Sequence, residues 1–206
     1  MKRFLAIIFL VIILLATWWL FFRTDNVETT VVNEKSSEHI ATTKHSVAFN
    51  SALENTMSNY FEMKNAFVND DSAGAKIAAS KFIISTDSIP LNELSNGDTQ
   101  VVATIRQQLG DIKSNAAPIS QEATMADMRK DFSMVSEFLY PFLKTLGYEG
   151  KKIYWQNCPM AFGDDKPANW LSTSTEINNP YLGMHHPEFK SSMLHCGETM
   201  DSIYAK

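Results

Sequence analysis

Between Phe49 and Leu146 the apolar residues return at three- and four-residue steps in four separate runs, a spacing that commits this stretch to helices with one buried face each. The first run is Phe49, Leu53, Met57, Tyr60, Lys64 and Phe67, a mostly aromatic stripe. Asp70-Asp71-Ser72 then offers N-capping oxygens to an Ala-rich second helix through Ala75, Ala78, Ala79 and Phe82, whose small side chains allow close packing. Ile89-Pro90 and Ser95-Asn96-Gly97-Asp98 interrupt the pattern before Val102, Ile105, Leu109 and Ile112 resume it, and Asn115 to Pro118 ends the third helix. Ser120 is the expected cap of a fourth helix that carries Met125, Met128, Phe132, Val135, Leu139, Phe142 and Leu146 inward, with Pro141 as a kink and Gly147 as the stop. Four helices with short connections predict a mainly α fold, an up-down four-helix bundle over residues 46–149.

Past Gly150 the helical period is lost. Lys152 to Gln156 reads as a short strand, and the rest of 150–206 is dense in Pro, Gly, Asn and Ser, predicting an irregular, loop-rich segment packed on the bundle. Tyr154, Trp155, Phe162, Trp170 and Tyr181 are its candidate anchors, and loop-rich structure of this kind commonly needs a metal or a disulfide as well.

Ahead of the helices, Lys2 and Arg3 precede an unbroken apolar run from Phe4 to Phe22, interrupted only by Thr17. At helical rise it spans roughly 28 Å, about one hydrocarbon core. It is longer than a signal-peptide apolar core and no small-x-small cleavage site follows, so residues 1–23 are expected to be an uncleaved signal anchor, a single transmembrane helix; a cleaved signal peptide is the alternative. Trp18 and Trp19 suit an interfacial belt, and the leading positive charges put the N-terminus in the cytoplasm. The expected location is the cytoplasmic (inner) membrane, single-pass, with the C-terminal domain in the periplasm. Residues 24–45 are polar and without period, a flexible tether; His39 and His45 fall in or near it and have no evident specific role. The net charge of −5 and the lack of a Lys/Arg cluster argue against nucleic acid as a partner.

The chemistry-bearing residues gather near the C-terminus. Cys158-Pro159-Met160 and Met193-Leu194-His195-Cys196-Gly197 hold both cysteines, two of the ten methionines and an imidazole, with Met184, His185 and His186 between them. Thiolate and thioether are soft donors suited to Cu(I) or Ag(I). Cys158, Met160, Met193 and Cys196 are therefore the expected ligands, with His195, His185, His186 and Met184 as secondary candidates. Two cysteines in an exported protein are equally open to a structural Cys158-Cys196 disulfide, in which case no metal is required. The helical residues Met57, Met125, Met128 and Met134 are read as packing.

Cys158-Pro-Met-Ala161, Trp170-Leu-Ser172, Glu176-Ile177, Asn179-Pro-Tyr181, Gly183 and Met193-Leu-His-Cys-Gly197, in that order, resemble an uncharacterised bacterial domain family. That family occurs as stand-alone exported proteins and as the extra C-terminal domain of periplasmic adaptor subunits of copper/silver efflux pumps. The resemblance extends upstream through Tyr60, Lys64, Ala66 and Asp70-Asp71 to Phe132 and Ser136, covering about residues 46–200. It implies an association with heavy-metal handling, with Cys158, Met160, Met193 and Cys196 at the family's sulfur positions. This chain has a longer stretch, Met184 to Ser192, between the two C-terminal motifs, and it lacks the adaptor's own hairpin and barrel regions.

The expected function is Cu(I) or Ag(I) binding outside the cytoplasmic membrane, for buffering or for transfer to a metal-efflux or copper-assembly partner, without catalysis. The competing reading is a disulfide-stapled helical interaction module of a cell-envelope assembly. Thiol catalysis, with His195 activating Cys196, is disfavoured by the absence of a CxxC motif and of a third orienting group.

Overall fold

The computed structural model describes residues 45–204, without the side chains of Ser95 and Asn96. The expected anchor and nearly all of the expected tether lie outside the described residues. Among those described, no helix is long and apolar enough to cross a membrane.

Four helices and a small three-stranded sheet make up the described chain. Helix α1 (Val47–Val68) starts at Ser46, whose hydroxyl accepts from the Phe49 amide, and every residue of its expected stripe is buried. Lys64 is included, and burial lowers its pKa while the carboxylate of Glu176 opposes that shift. Helix α2 (Ser72–Thr86) is capped by Asp71 alone, which accepts from the Gly74 amide; it turns Ala75, Ala78, Ala79 and Phe82 into the core. Asp70 does not cap. It adopts φ 56° and turns its carboxylate elsewhere.

A 3-10 turn (Leu91–Asn96) leads to α3 (Thr99–Ala116), capped by Asp98 and buried along Val102, Ile105, Leu109 and Ile112. The expected cap of the fourth helix was Ser120, but Ser120 ends a second 3-10 turn (Ala117–Ser120). Helix α4 (Met125–Leu146) begins instead after Thr124, whose hydroxyl accepts from the Asp127 amide. Four residues intervene because Pro118 has already bent the chain out of helical hydrogen bonding. Pro141 lies inside α4, and Gly147 ends it at φ 76°, in the left-handed region that a glycine enters without penalty.

The C-terminal segment is more regular than its composition suggests. Strands β1 (Ile153–Cys158), β2 (Ala168–Ser172) and β3 (Glu198–Ile203) form an antiparallel sheet in the order β2-β1-β3. Only β1 was foreseen. Trp155 pairs with Asp201 and Gln156 with Thr199, leaving Met200 as the extra residue of a bulge. The sheet shares one core with the helices: Trp170, Leu171 and Tyr181 are buried in the same cluster as Tyr60, Phe67 and Phe132. Tyr181 lies 6.0 Å, ring centre to ring centre, from both Phe132 and Trp170, and 5.3 Å from Phe162. Trp155 stacks on Tyr140 of α4 at 4.5 Å.

Two buried polar devices join the C-terminal segment to the helices. The Leu171 amide, on the side of β2 away from β1, donates to the Tyr60 hydroxyl at 3.0 Å. That hydroxyl is 2.7 Å from Ser136 Oγ, which in turn bonds the Phe132 carbonyl at 3.0 Å. A single proton order satisfies the whole chain: Leu171 to Tyr60, Tyr60 to Ser136, Ser136 to Phe132. The second device is Arg129, buried on α4. It donates to the carboxylate of Asp70 at 2.6 Å, to the Phe67 carbonyl at 2.9 Å and to the Pro180 carbonyl at 2.8 Å. His45, read as part of the tether, is docked: its ring stacks on Phe49 at 4.3 Å and Nε2 lies 3.0 Å from the Leu146 carbonyl.

Candidate functional site

Strand β1 ends in Cys158, on the same face as buried Gln156 two residues earlier, and its thiol is fully buried. Cys196 arrives from the other side of the sequence, in a turn closed by its own amide donating to the Met193 carbonyl at 3.0 Å. The two sulfurs are 3.4 Å apart, and both cysteines are free thiols.

Their approach depends on Gly197. It holds φ +142°, and a Cβ there would stand 2.5 Å from the Asn157 carbonyl oxygen and 2.9 Å from the Trp170 ring. Gly197 follows Cys196 and Asn157 precedes Cys158, so the missing side chain lets the two backbones close next to the sulfurs.

Asn179 holds the other flank of the same turn. It is fully buried, and its side-chain amide donates to the Cys196 carbonyl at 2.8 Å. Its Oδ1 accepts from the amides of Tyr181, at 2.8 Å, and Leu182, at 3.1 Å, while its own backbone amide donates to the Leu194 carbonyl at 2.8 Å. The loop that carries Asn179 is fixed to the helices through Arg129 and Pro180, and through Asp70 Oδ2, which accepts from the His185 amide at 2.6 Å.

Burial, together with the adjoining Cys158 thiol, pushes the Cys196 pKa up to about 11. At neutral pH Cys196 is therefore a neutral thiol, and any metal it binds must displace its proton.

The remaining candidates divide. Met160 and Met193 are half-buried and pack on the core. Met184 is exposed, as are His185 and His195. His195 Nδ1 sits 2.7 Å from the Ile177 carbonyl, an acceptor only, so this nitrogen is the donor there. His186 uses its Nδ1 locally, accepting from the Glu188 and Phe189 amides at 3.3 Å each, and stacks on Phe189. Burial lowers the His186 pKa, and Arg129 lowers it further. Among the described residues no three His, Cys, Asp or Glu side chains converge as a metal site. The structure thus joins Cys158 to Cys196 and leaves the histidines apart from them. The longer stretch from Met184 binds the α1–α2 turn through its backbone, with the Met184 amide on the Val68 carbonyl at 2.6 Å.

Asn179, Gly197, Arg129 and Asp70 were not among the expected site residues. Asn179 had a readable signal: an Asn two residues before Tyr181 and ahead of a Pro is a turn former whose side-chain oxygen reaches the amide two positions on. Arg129 had none, since its partners come from two distant segments, Phe67 to Asp70 and Pro180.

The donor set suits a soft metal. Cys158 and Cys196 would hold it, supplying thiolate charge to a monovalent cation, and the thioethers of Met160 and Met193 belong to the same two short segments. No curated protein and no solved structure matches the chain. The helical part does find a counterpart: residues 56–151, from within α1 to just before β1, match the model of an uncharacterised domain family described as "Protein of unknown function (DUF3347)".

Proposed function

We propose that this chain binds Cu(I) or Ag(I) through Cys158 and Cys196, with Met160 and Met193 as supporting thioethers, and that it buffers the ion or passes it to an efflux or assembly protein. In this reading an N-terminal anchor holds the domain outside the cytoplasmic membrane, its helices run in up-down order, and it performs no catalysis. The observation that carries the reading is the pair of free thiols 3.4 Å apart, brought together from opposite sides of a 38-residue separation. Soft sulfur donors select monovalent copper and silver over harder ions. The resemblance to domains attached to copper/silver efflux adaptors supports the same ions.

The test is a Cu(I) competition titration of the full chain, kept reduced, against a chromogenic chelator. The parent takes up about one equivalent, and Cys158→Ser and Cys196→Ser each lose it. Unchanged affinity in either variant refutes the proposal.

The same separation favours a second reading, in which the thiols are oxidised to a disulfide that staples a metal-free interaction module. Closing a loop of this length would stabilise the fold by about 4 kcal/mol on chain-entropy grounds. Intact-mass analysis after alkylation of protein taken from the envelope separates the two. A fully formed bond, indifferent to copper supply, supports the staple.

A further inference from the structure

We infer that Asn179 is the positioning residue of the thiol pair: its side-chain amide sets where Cys196 stands relative to Cys158. Three observations converge. Asn179 is fully buried and every polar atom of its side chain is used. Its side-chain donor goes to the Cys196 carbonyl, while its backbone amide holds the Leu194 carbonyl of the same turn. Its acceptor goes to two amides of its own loop, at Tyr181 and Leu182, so the side chain bridges a rigid turn to the segment that carries the thiol.

The rigidity comes from outside the site. The Pro180 carbonyl accepts from Arg129 Nε at 2.8 Å, and Arg129 is itself held by Asp70. Position therefore passes from the helices through Arg129 to Pro180, from there to the neighbouring Asn179, and across the amide to Cys196. Gly197 limits how close the backbones come; Asn179 determines where within that limit the turn rests. Outer hydrogen bonds of this kind commonly contribute ten- to a hundredfold to metal affinity. The metal part of this role rests on the soft-metal reading above, whereas the thiol part does not.

Asn179→Asp in the full chain isolates the donor. The two amides that Oδ1 accepts favour an ionised carboxylate, which then faces the Cys196 carbonyl with an acceptor where a donor stood. Two quantities are measured at pH 8. The first is the equilibrium of the pair with glutathione, in which two protein thiols are oxidised to one disulfide while one glutathione disulfide is reduced to two glutathione molecules; it reads the effective concentration of one thiol at the other. The second is Cu(I) affinity by chelator competition.

The expected result is a fall of tenfold or more in the glutathione equilibrium constant and a comparable fall in Cu(I) affinity, with the helical circular dichroism of the parent. Tyr60→Phe serves as the structural control: it removes the bond to the Leu171 amide, which lies off the Arg129–Pro180–Asn179 path, and lowers the unfolding midpoint, but leaves the glutathione equilibrium within about twofold of the parent. Should Asn179→Asp not fold, Asn179→Ser is measured in its place, since it also lacks the amide donor. A glutathione equilibrium within twofold of the parent in the folded variant overturns the inference. So does an equal shift in Tyr60→Phe, which would mark the effect as general loosening of the fold. A parent that binds no Cu(I) ends the soft-metal reading and leaves the glutathione result to decide the role of Asn179.

Discussion

Replacing Tyr60 by Phe removes one oxygen from the junction between sheet and helices, and the structure permits its cost to be worked out. The ring would stay in place, stacked on Phe132 at 5.3 Å and edge-on to Phe61 at 5.5 Å. Ser136 would keep its own donation to the Phe132 carbonyl and lose only an incoming bond. The Leu171 amide loses its partner outright, on a strand edge where the residue is fully buried. An orphaned buried donor costs about 1–3 kcal/mol, and the lost Tyr60–Ser136 bond adds about 0.5–1. The expected destabilisation is about 2–3 kcal/mol. For a chain of this size that lowers the thermal midpoint by about 5–10 °C. Urea unfolding followed by far-ultraviolet circular dichroism gives the free energy, with an unchanged m-value showing that the same surface unfolds. Ser136→Ala alone should cost less, and the double variant should fall short of the sum because the two groups share one bond. A loss below about 0.5 kcal/mol for Tyr60→Phe would refute the reasoning, since it would mean that the Leu171 amide finds another partner at no cost.

Arg129→Leu leaves the Asp70 carboxylate, 16% exposed, without its cation and frees two buried carbonyls; the expected loss is about 3–5 kcal/mol by urea unfolding, and less than 1 kcal/mol contradicts the assignment. Gly197→Ala combines a backbone φ of +142° with a contact of 2.5 Å to the Asn157 oxygen, so it should part the thiols and slow diamide-driven oxidation of the pair at least tenfold; parental oxidation rates contradict it. With its pKa raised from 9.0 to about 11, Cys196 has about a hundredth of the ordinary thiolate fraction at pH 8. Greater intrinsic nucleophilicity offsets part of this, so alkylation by iodoacetamide should run about tenfold slower than in the unfolded chain and keep rising through pH 10. A plateau near pH 9 contradicts it. Because the folded pKa lies above the unfolded one, this thiol favours the fold below about pH 9 and ceases to do so as pH rises toward 11.

The helices were legible because their signal is local. The stripe from Phe49 to Phe67 and that from Met128 to Leu146 are repeated within one element, and each position reports on the same buried face. The start of α4 was misplaced by four residues because Ser120 and Thr124 are both plausible caps, and only the turn at Pro118 decides between them. Strands β2 and β3 were missed for different reasons. The five residues of β2 are bounded by ordinary loop residues, and β3 is exposed along most of its length with a bulge at Met200, which destroys the alternation that would have marked it. Within the candidate site, the cysteines were legible by chemistry, and among the described residues no histidine joins them in a cluster of three. Asp70 read as a capping residue, and nothing local marked Arg129. Their pairing is set by tertiary contact alone, to which no sequence period corresponds.

The shared aromatic core also has a kinetic meaning. Each helix can form from neighbours three and four residues away, whereas Cys158 and Cys196 meet only after 38 residues of chain have been closed into a loop. The core closes longer stretches still, since the Tyr60 hydroxyl meets Ser136, 76 residues on, and the Leu171 amide, 111 residues on. The costlier closures therefore belong to the aromatic core rather than to the sulfurs. An ion or oxidant that joins the sulfurs ties together two segments that this core already holds side by side.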